Sequence, residues 1–399
     1  MKLIATRIEP TSLGRVRLVG TVSYDDRPTA TEEYWYEVDE ELSDSLSRTG
    51  NPWLVCLAPL ASKLGEPIRL CLPVDRLLRR NVAEAAAIWR SWFPDMRPLE
   101  VDAETIDGLP ETAGERSCSF FTCGVDSFFT ALRSTEAGAI PIDELVTVAG
   151  FDIPFRHMDA YWRRVERCRH IAPELGKRVV AVVANLRRTR LGTVDWGALW
   201  HGAGLASVGL ALERRYGRLV IGSTFDYRQL QPLGSHPMVD PLHSSSGTAV
   251  IHDGAAFHRA QKIEYLSRSD LALQNLHVCF RAGSDVNCGT CEKCYRTMAV
   301  LEVLGRLSEA TSFPVRRLDL DRLSRVFVWK KSLEKYYRAI RALALSKGRR
   351  DVVRAVDRTL RRSLWRRQAM RFPNWISTKR GVWRAAGPMR RALRAGEIV

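Results

Sequence analysis

The sequence predicts an α/β protein built on a parallel sheet covered by helices, and three observations carry that expectation. From residue 117, apolar β-branched runs of five to eight residues alternate with helical patterns of twelve or more, as in a sheet buried on both faces. The first run, SCSFF, passes through TCGVDS straight into the apolar run GVDSFFTALRST, a strand, tight turn and helix in immediate succession. At 399 residues the chain also exceeds the size at which one hydrophobic core usually stops growing, so two or three domains are expected.

Residues 1–112 come first. KLIATRI, RVRLVGTVSY, EYWYEV and PIRLCLP read as strands, and DRLLRRNVAEAAAIWRSWF as an amphipathic helix, with Leu77, Leu78, Val82, Ala85 and Ile88 at helical spacing. This predicts an N-terminal α+β domain with no evident chemistry. DGLPETAGERS supplies Pro, Gly and polar residues for a boundary near residue 113. Strand and helix then alternate: SCSFF and GVDSFFTALRST, ELVTVAGF and HMDAYWRRVERCRHIAPELG, RVVAVVAN and DWGALWHGAGLASVGLALERRYG, and finally RLVIGS. Sheets of this kind bind ligands beyond the carboxyl ends of their strands. YRTMAVLEVLGRL is a further helix, closing a second domain over 113–315. A basic, mainly helical region over 316–399 holds SLEKYYRAIRALAL and RDVVRAVDRTLRRSLWRRQAM, with Pro373, Gly381, Gly387 and Pro388 breaking its end.

Composition excludes several classes. No apolar stretch reaches 18 residues, and the opening MKLIATRIEPTSLG has no signal-peptide core, so neither a membrane span nor secretion is indicated and a cytoplasmic location is expected. Four of the nine cysteines crowd together while Cys56, Cys71, Cys118, Cys123 and Cys168 are scattered, a pattern unlike a disulfide framework. Charge is uneven. Residues 316–399 hold 25 Lys and Arg against 6 Asp and Glu, whereas everything before carries 36 against 39.

A strand running into TCGVDS and a helix leaves backbone N–H groups pointing beyond the strand end, which makes an anion site. Gly124 permits close approach, Ser127 adds a hydroxyl, and Asp126 beside a polyphosphate would hold Mg²⁺ or organise the loop. Read more plainly, the same residues form a strand-to-helix turn with Asp and Ser near an N-cap. Further on, Cys279, Cys288, Cys291 and Cys294 have the spacing of four ligands to one tetrahedral Zn²⁺. With all four positions filled by protein, such a metal is structural. An iron–sulfur cluster is the alternative user of four cysteines.

Taken together, these motifs resemble a known family. Thr122-Cys123-Gly124-Val125-Asp126-Ser127 resembles the S-G-G-x-D-S pyrophosphate loop of the PP-loop ATP pyrophosphatases, with Thr122 in place of Ser and Cys123 in place of the first Gly. The cysteine cluster, with its CGxCxxC core, is similar to the zinc motif of the 7-cyano-7-deazaguanine synthases. GFDIPFRHMDAYWRR, IGSTFDY and PLHSSSGTAVIHDGAAFHRAQKIEYL fall between loop and cluster in that family's order. The likeness covers about residues 115–305 and leaves the N-terminal region and basic tail as extensions of a divergent member.

The resemblance implies a PP-loop (HUP-like) nucleotide-binding domain. It implies ATP, Mg²⁺ and Zn²⁺ as cofactors, adenylation of a carboxylate with release of pyrophosphate, and attack by ammonia or an amine to give an amide or a nitrile. It assigns residues 122–127 to the nucleotide, with Asp126 and Ser127 catalytic. Lys262, in the K-x-E position, becomes the catalytic cation, and Asp226 and Tyr227 line the substrate pocket. Extended relatives of this kind belong to bacterial antiviral operons, which is a setting it offers here.

Other polar residues stand as candidates: His157, Asp159, His236, His252 and Asp253, with Arg156 or Arg187 for a substrate carboxylate. Cys123 invites sulfur transfer, since a helix N-terminus lowers a thiol pKa. In the tail, Arg349-Arg350, Arg361-Arg362, Arg366-Arg367 and Arg390-Arg391 interleave with Trp365, Trp375 and Trp383. They suit a nucleic acid, an acidic partner or an anionic membrane surface, or else a solvated helix face with Val352, Val353, Val356 and Leu360 packed inward. The sequence therefore predicts an adenylate-forming enzyme acting on a small-molecule or protein carboxylate, with homodimer formation left open. A nucleic-acid-modifying PP-loop protein and a catalytically silent nucleotide-binding protein are the alternatives.

Overall fold

The computed structural model describes residues 1–11, 14–108, 114–279 and 286–377, and side chains as far as residue 369. The chain forms two compact units, Met1–His258 and a second beginning at Arg259. The expected boundaries lay near 113 and 315 instead, because the composition changes there; the division at 258 follows contact in space.

In the first unit, three strands open the chain, β1 (Lys2–Pro10), β2 (Arg15–Tyr24) and β3 (Arg27–Asp39). Helix α1 (Asn51–Leu64), short strands β4 (Ile68–Leu70) and β5 (Val74–Asp75), and helix α2 (Arg76–Trp92) follow. Asp75 caps α2 by accepting from the Leu78 amide. The sequence pattern missed α1. Twelve of its fourteen residues are buried, so it lacks the polar face that makes a helix legible. Strands β6 (Val101–Asp102) and β7 (Thr105–Ile106) complete this part.

The alternating region runs β8 (Arg116–Phe120), α3 (Val125–Arg133), β9 (Glu144–Ala149), α4 (Met158–Ile171), β10 (Arg178–Ala184), α5 (His201–Leu210), β11 (Tyr216–Gly222) and β12 (Ala249–Asp253). Ten strands form one sheet in the order β12-β11-β8-β9-β10-β3-β2-β1-β4-β6, and β5 pairs with β7 separately. The five strands from β12 to β10 are all parallel. Counted from β8, their order reads 3-2-1-4-5, the doubly wound arrangement with its reversal between β8 and β11. The α/β class is as the sequence predicts. β12 was not read as a strand, because AVIHD is short and ends in two polar residues.

Beyond β10 the sheet continues into the N-terminal strands, with β10 antiparallel to β3 at Val183↔Glu37 and Ala184↔Tyr36. Arg15, almost fully buried, ties the two parts: its Nε donates to Glu37 at 2.9 Å and its NH2 to the Ala181 carbonyl at 2.9 Å. Glu213 accepts from Thr49 at 2.6 Å and Asn51 at 2.8 Å, so the carboxylate is buried with its oxygens satisfied. Residues 1–108 thus share one sheet and one core with the alternating region, rather than standing apart as a separate α+β piece.

The second unit is helical among its described residues: α6 (Arg259–Leu266), α7 (Asp270–Asn275), α8 (Glu292–Val303), α9 (Leu320–Leu323), α10 (Glu334–Ser346) and α11 (Arg350–Ser377). Val352, Val353 and Val356 of α11 are buried, as in the reading of this helix with an inward apolar face, while Leu360, the fourth residue of that face, is half-buried. Trp375 lies among side chains outside the described residues, and Trp383, Arg390 and Arg391 lie outside them altogether. No helix among the described residues is long and apolar enough to cross a membrane.

Candidate functional site

The first candidate is the turn after β8. Gly124 is the N-cap of α3, with Val125 the first helical residue, so the positive end of this helix lies at the sheet's carboxyl edge. The turn lies at the reversal between β8 and β11, where an open α/β sheet leaves a crevice. β11 approaches closely there. A Cβ on Gly222 would stand 3.0 Å from the Asp126 carbonyl oxygen, so a side chain there would press on the first turn of α3.

Inside the turn, Ser127 Oγ accepts from the Thr122 amide and donates to the Gly124 carbonyl, both at 3.2 Å. The two hydroxyls stand 3.5 Å apart. Asp126 is half-buried in the helix's first turn. Cys123 is the one non-glycine residue at positive φ, 58°, among the described residues. A left-handed backbone there costs an L-residue roughly 1–2 kcal/mol. Its side chain is fully buried, with Sγ 3.6 Å from Sγ of buried Cys168 on α4. The thiol is therefore committed to the interior. The hydrogen bond with Cys168, aided by Arg164 and Arg167, holds Cys123 below the usual thiol range, and the shared proton together with burial pushes Cys168 up.

Asp253, at the end of β12, accepts from Thr130 Oγ1 at 2.6 Å and faces Arg133 at 3.4 Å. It braces α3 against the sheet and forms no base pair with its neighbour. His252 points to the other face, where its Nδ1 lies 2.7 Å from Asp240 Oδ2. Asp240 is fully buried and also accepts from Ser235 Oγ at 2.7 Å and from the His236 amide at 3.2 Å. Sequence reading missed both Asp240 and Cys168, since neither sits in a motif and both partnerships close only through the fold.

The remaining residues disperse. Asp226 accepts from the Arg228 amide at 3.1 Å, and the Tyr227 ring is 60% exposed. Arg187 donates to the Phe151 carbonyl at 2.7 Å, and Arg156 lies 3.2 Å from the His157 ring. Asp159 is exposed in the first turn of α4. His236 packs edge-on against Trp92 at 4.8 Å. Lys262 is buried on α6, in the second unit.

The four clustered cysteines do converge. All four Sγ atoms lie within 4.8 Å of one another, with Cys279 to Cys291 at 4.0 Å and Cys288 to Cys294 at 3.9 Å. Tetrahedral bonds of about 2.3 Å place thiolates about 3.8 Å apart, so the sulfurs could hold a metal ion such as zinc with little movement. The local fold presents them. Cys291 is the N-cap of α8 and accepts from the Cys294 amide at 3.5 Å, while Cys288 Sγ accepts from the Thr290 and Cys291 amides at 3.4 and 3.3 Å. Burial opposes charge on Cys288, yet these donors hold it below the usual thiol range; the proton shared with Cys291, and burial, push Cys294 up.

Comparison with known proteins adds no name: no family model, curated protein or solved structure matches the chain.

Proposed function

We propose that this chain is an ATP-dependent, adenylate-forming enzyme of the PP-loop kind, similar to the 7-cyano-7-deazaguanine synthases. The observation that carries the reading is the turn at residues 122–127. It sits where the strand order reverses, leads directly into the first turn of α3, and holds Cys123 in the left-handed conformation at the position where the family has glycine.

A carboxylate oxygen of the substrate attacks the α-phosphorus of ATP, the α–β phosphoanhydride bond breaks, and pyrophosphate leaves. The amides that open α3 and the exposed Thr122 hydroxyl are the groups that would receive that anion, while Ser127 Oγ, donating to the Gly124 carbonyl at 3.2 Å, braces the turn. Asp126 is the residue that would hold Mg²⁺, which neutralises charge on the departing phosphates. An amine or ammonia then attacks the acyl carbon and displaces AMP, giving an amide. The four-cysteine centre, with no position left for substrate, is assigned a structural zinc.

The test is ATP–pyrophosphate exchange in the presence of a 7-deazaguanine carboxylate, read beside calorimetric binding of a nonhydrolysable ATP analogue with magnesium. Asp126→Ala is expected to lower exchange by about 100-fold or more and to weaken magnesium-dependent analogue binding. Exchange or binding that survives the substitution undiminished rejects the site.

A further inference from the structure

On α11, successive arginines fall on one face. At 100° per residue, Arg350, Arg354, Arg358, Arg361 and Arg362, with Trp365, occupy a sector of about 120° over a length of about 22 Å. All six are exposed, Trp365 by 69%. None of the five arginines has an acidic partner among the described residues. The two acids of the described helix are engaged elsewhere, Asp357 by Arg341 at 2.7 Å and Asp351 by Arg349 at 2.9 Å.

The opposite face is already used. Val352, Val353, Ala355 and Val356 are buried, Thr359 Oγ1 donates to the Leu323 carbonyl at 2.7 Å, and Ser363 Oγ accepts from the Val328 amide at 3.0 Å. Helices that lie on membranes sink a broad apolar face into the lipid; here the valine face is inside the unit, and the exposed side is mainly cationic, with Leu364 and Trp365 its exposed large apolar residues. Five guanidinium groups in a line without acidic partners among the described residues match a partner with regularly repeated anions. An indole exposed at the end of the line offers a surface on which an unpaired base can stack.

We propose that this face of α11 binds single-stranded nucleic acid, with the arginines following the phosphates and Trp365 stacking on a base. This is independent of the adenylation reading and does not require it.

The experiment uses the full chain and a fluorescein-labelled oligothymidylate of about twenty nucleotides, followed by anisotropy as salt rises. Five phosphate contacts on a single strand predict a slope of log K against log salt of about −3.5, a loss of roughly 100-fold between about 50 and 200 mM. The triple variant Arg354→Gln, Arg358→Gln, Arg361→Gln, which disturbs no described contact, should keep its circular dichroism and melting temperature. Its slope should be shallower by about 2. Residues 378–399 keep their arginines in that variant, so the difference belongs to the face. Trp365→Ala should weaken binding roughly tenfold with the slope unchanged. Four results overturn the proposal: no salt-dependent binding, a slope that the triple variant leaves alone, tighter binding of duplex with no effect of Trp365→Ala, or displacement of the oligonucleotide by phosphatidylserine vesicles or polyglutamate at equal charge.

Discussion

Residues 1–258 close around a ten-stranded sheet, with Trp53, Trp89 and Trp200 among side chains wholly inside. From residue 259 onward the described residues contain no strand, and several of the helices are short, four residues in α9 and six in α7. Both units use cysteine, in opposite ways. In the first, Cys123 and Cys168 are apolar filling beside a strained turn; in the second, four sulfurs gather around a common centre at the start of α8. Where a sheet supplies the core, burial of apolar surface provides the stabilisation. The second unit also buries apolar side chains, Met298, Leu301, Tyr337, Ile340 and Val356 among them, and a metal held by the four sulfurs would add to that stabilisation.

The strongest way to break this comparison is to deny the four sulfurs a metal. Chelation, or Cys291→Ser, is expected to cost the second unit on the order of 10 kcal/mol of local stability. Hydrogen exchange should then show α6, α8 and α10 losing protection while the strands of the first unit keep theirs. Protection that is equal with and without chelator would mean that the helices hold by themselves, and the contrast between the units would fall.

The next effect belongs to the first unit. His243 is fully buried near Trp89, their rings 6.2 Å apart, and among the described residues neither ring nitrogen has a hydrogen-bond partner. Burial pushes its pKa down from 6.5 to about 4, against the opposing pull of Asp240. The sign follows from which state binds the proton. Between pH 6.5 and about 4 the unfolded chain takes up a proton that the folded chain refuses, so stability is complete above that window and falls as pH drops through it. The full loss is roughly 3 kcal/mol. His243→Leu should flatten this part of the stability–pH curve measured by denaturant titration. An unchanged slope would place the acid sensitivity in other groups.

How far the sequence foretold the two units depends on how local their determinants are. The strand-turn-helix at residues 117–133 and the four cysteines are written in consecutive residues, and both appear in the structure at the positions expected for them. The antiparallel join of β10 to β3 depends on strands about 150 residues apart, and no periodicity in either strand names the other. α1 hid because nearly all of it is buried. The tempting pair His252 and Asp253 is divided by the alternation of a strand: Asp253 goes to α3 and His252 to Asp240, on opposite faces. Such partnerships arise only when the chain has closed.

The smallest effect examines the turn itself, and it inverts a common rule. Alanine normally outranks glycine in stability, because glycine loses more backbone freedom on folding. At residue 123, φ is 58°, where alanine keeps the left-handed strain and glycine does not. Both substitutions give up the buried contact with Cys168 Sγ at 3.6 Å, so the difference between them isolates the backbone. Cys123→Gly should therefore lie within about 1 kcal/mol of the parent, since strain relief of roughly 1–2 kcal/mol offsets the lost thiol. Cys123→Ala should be less stable than Cys123→Gly by about 1 kcal/mol. The thiol faces inward, so Cys123→Gly should also leave binding of the ATP analogue unchanged. If alanine proves the better replacement, the turn is not held left-handed in solution, and the backbone geometry on which the proposed anion site depends is lost with it.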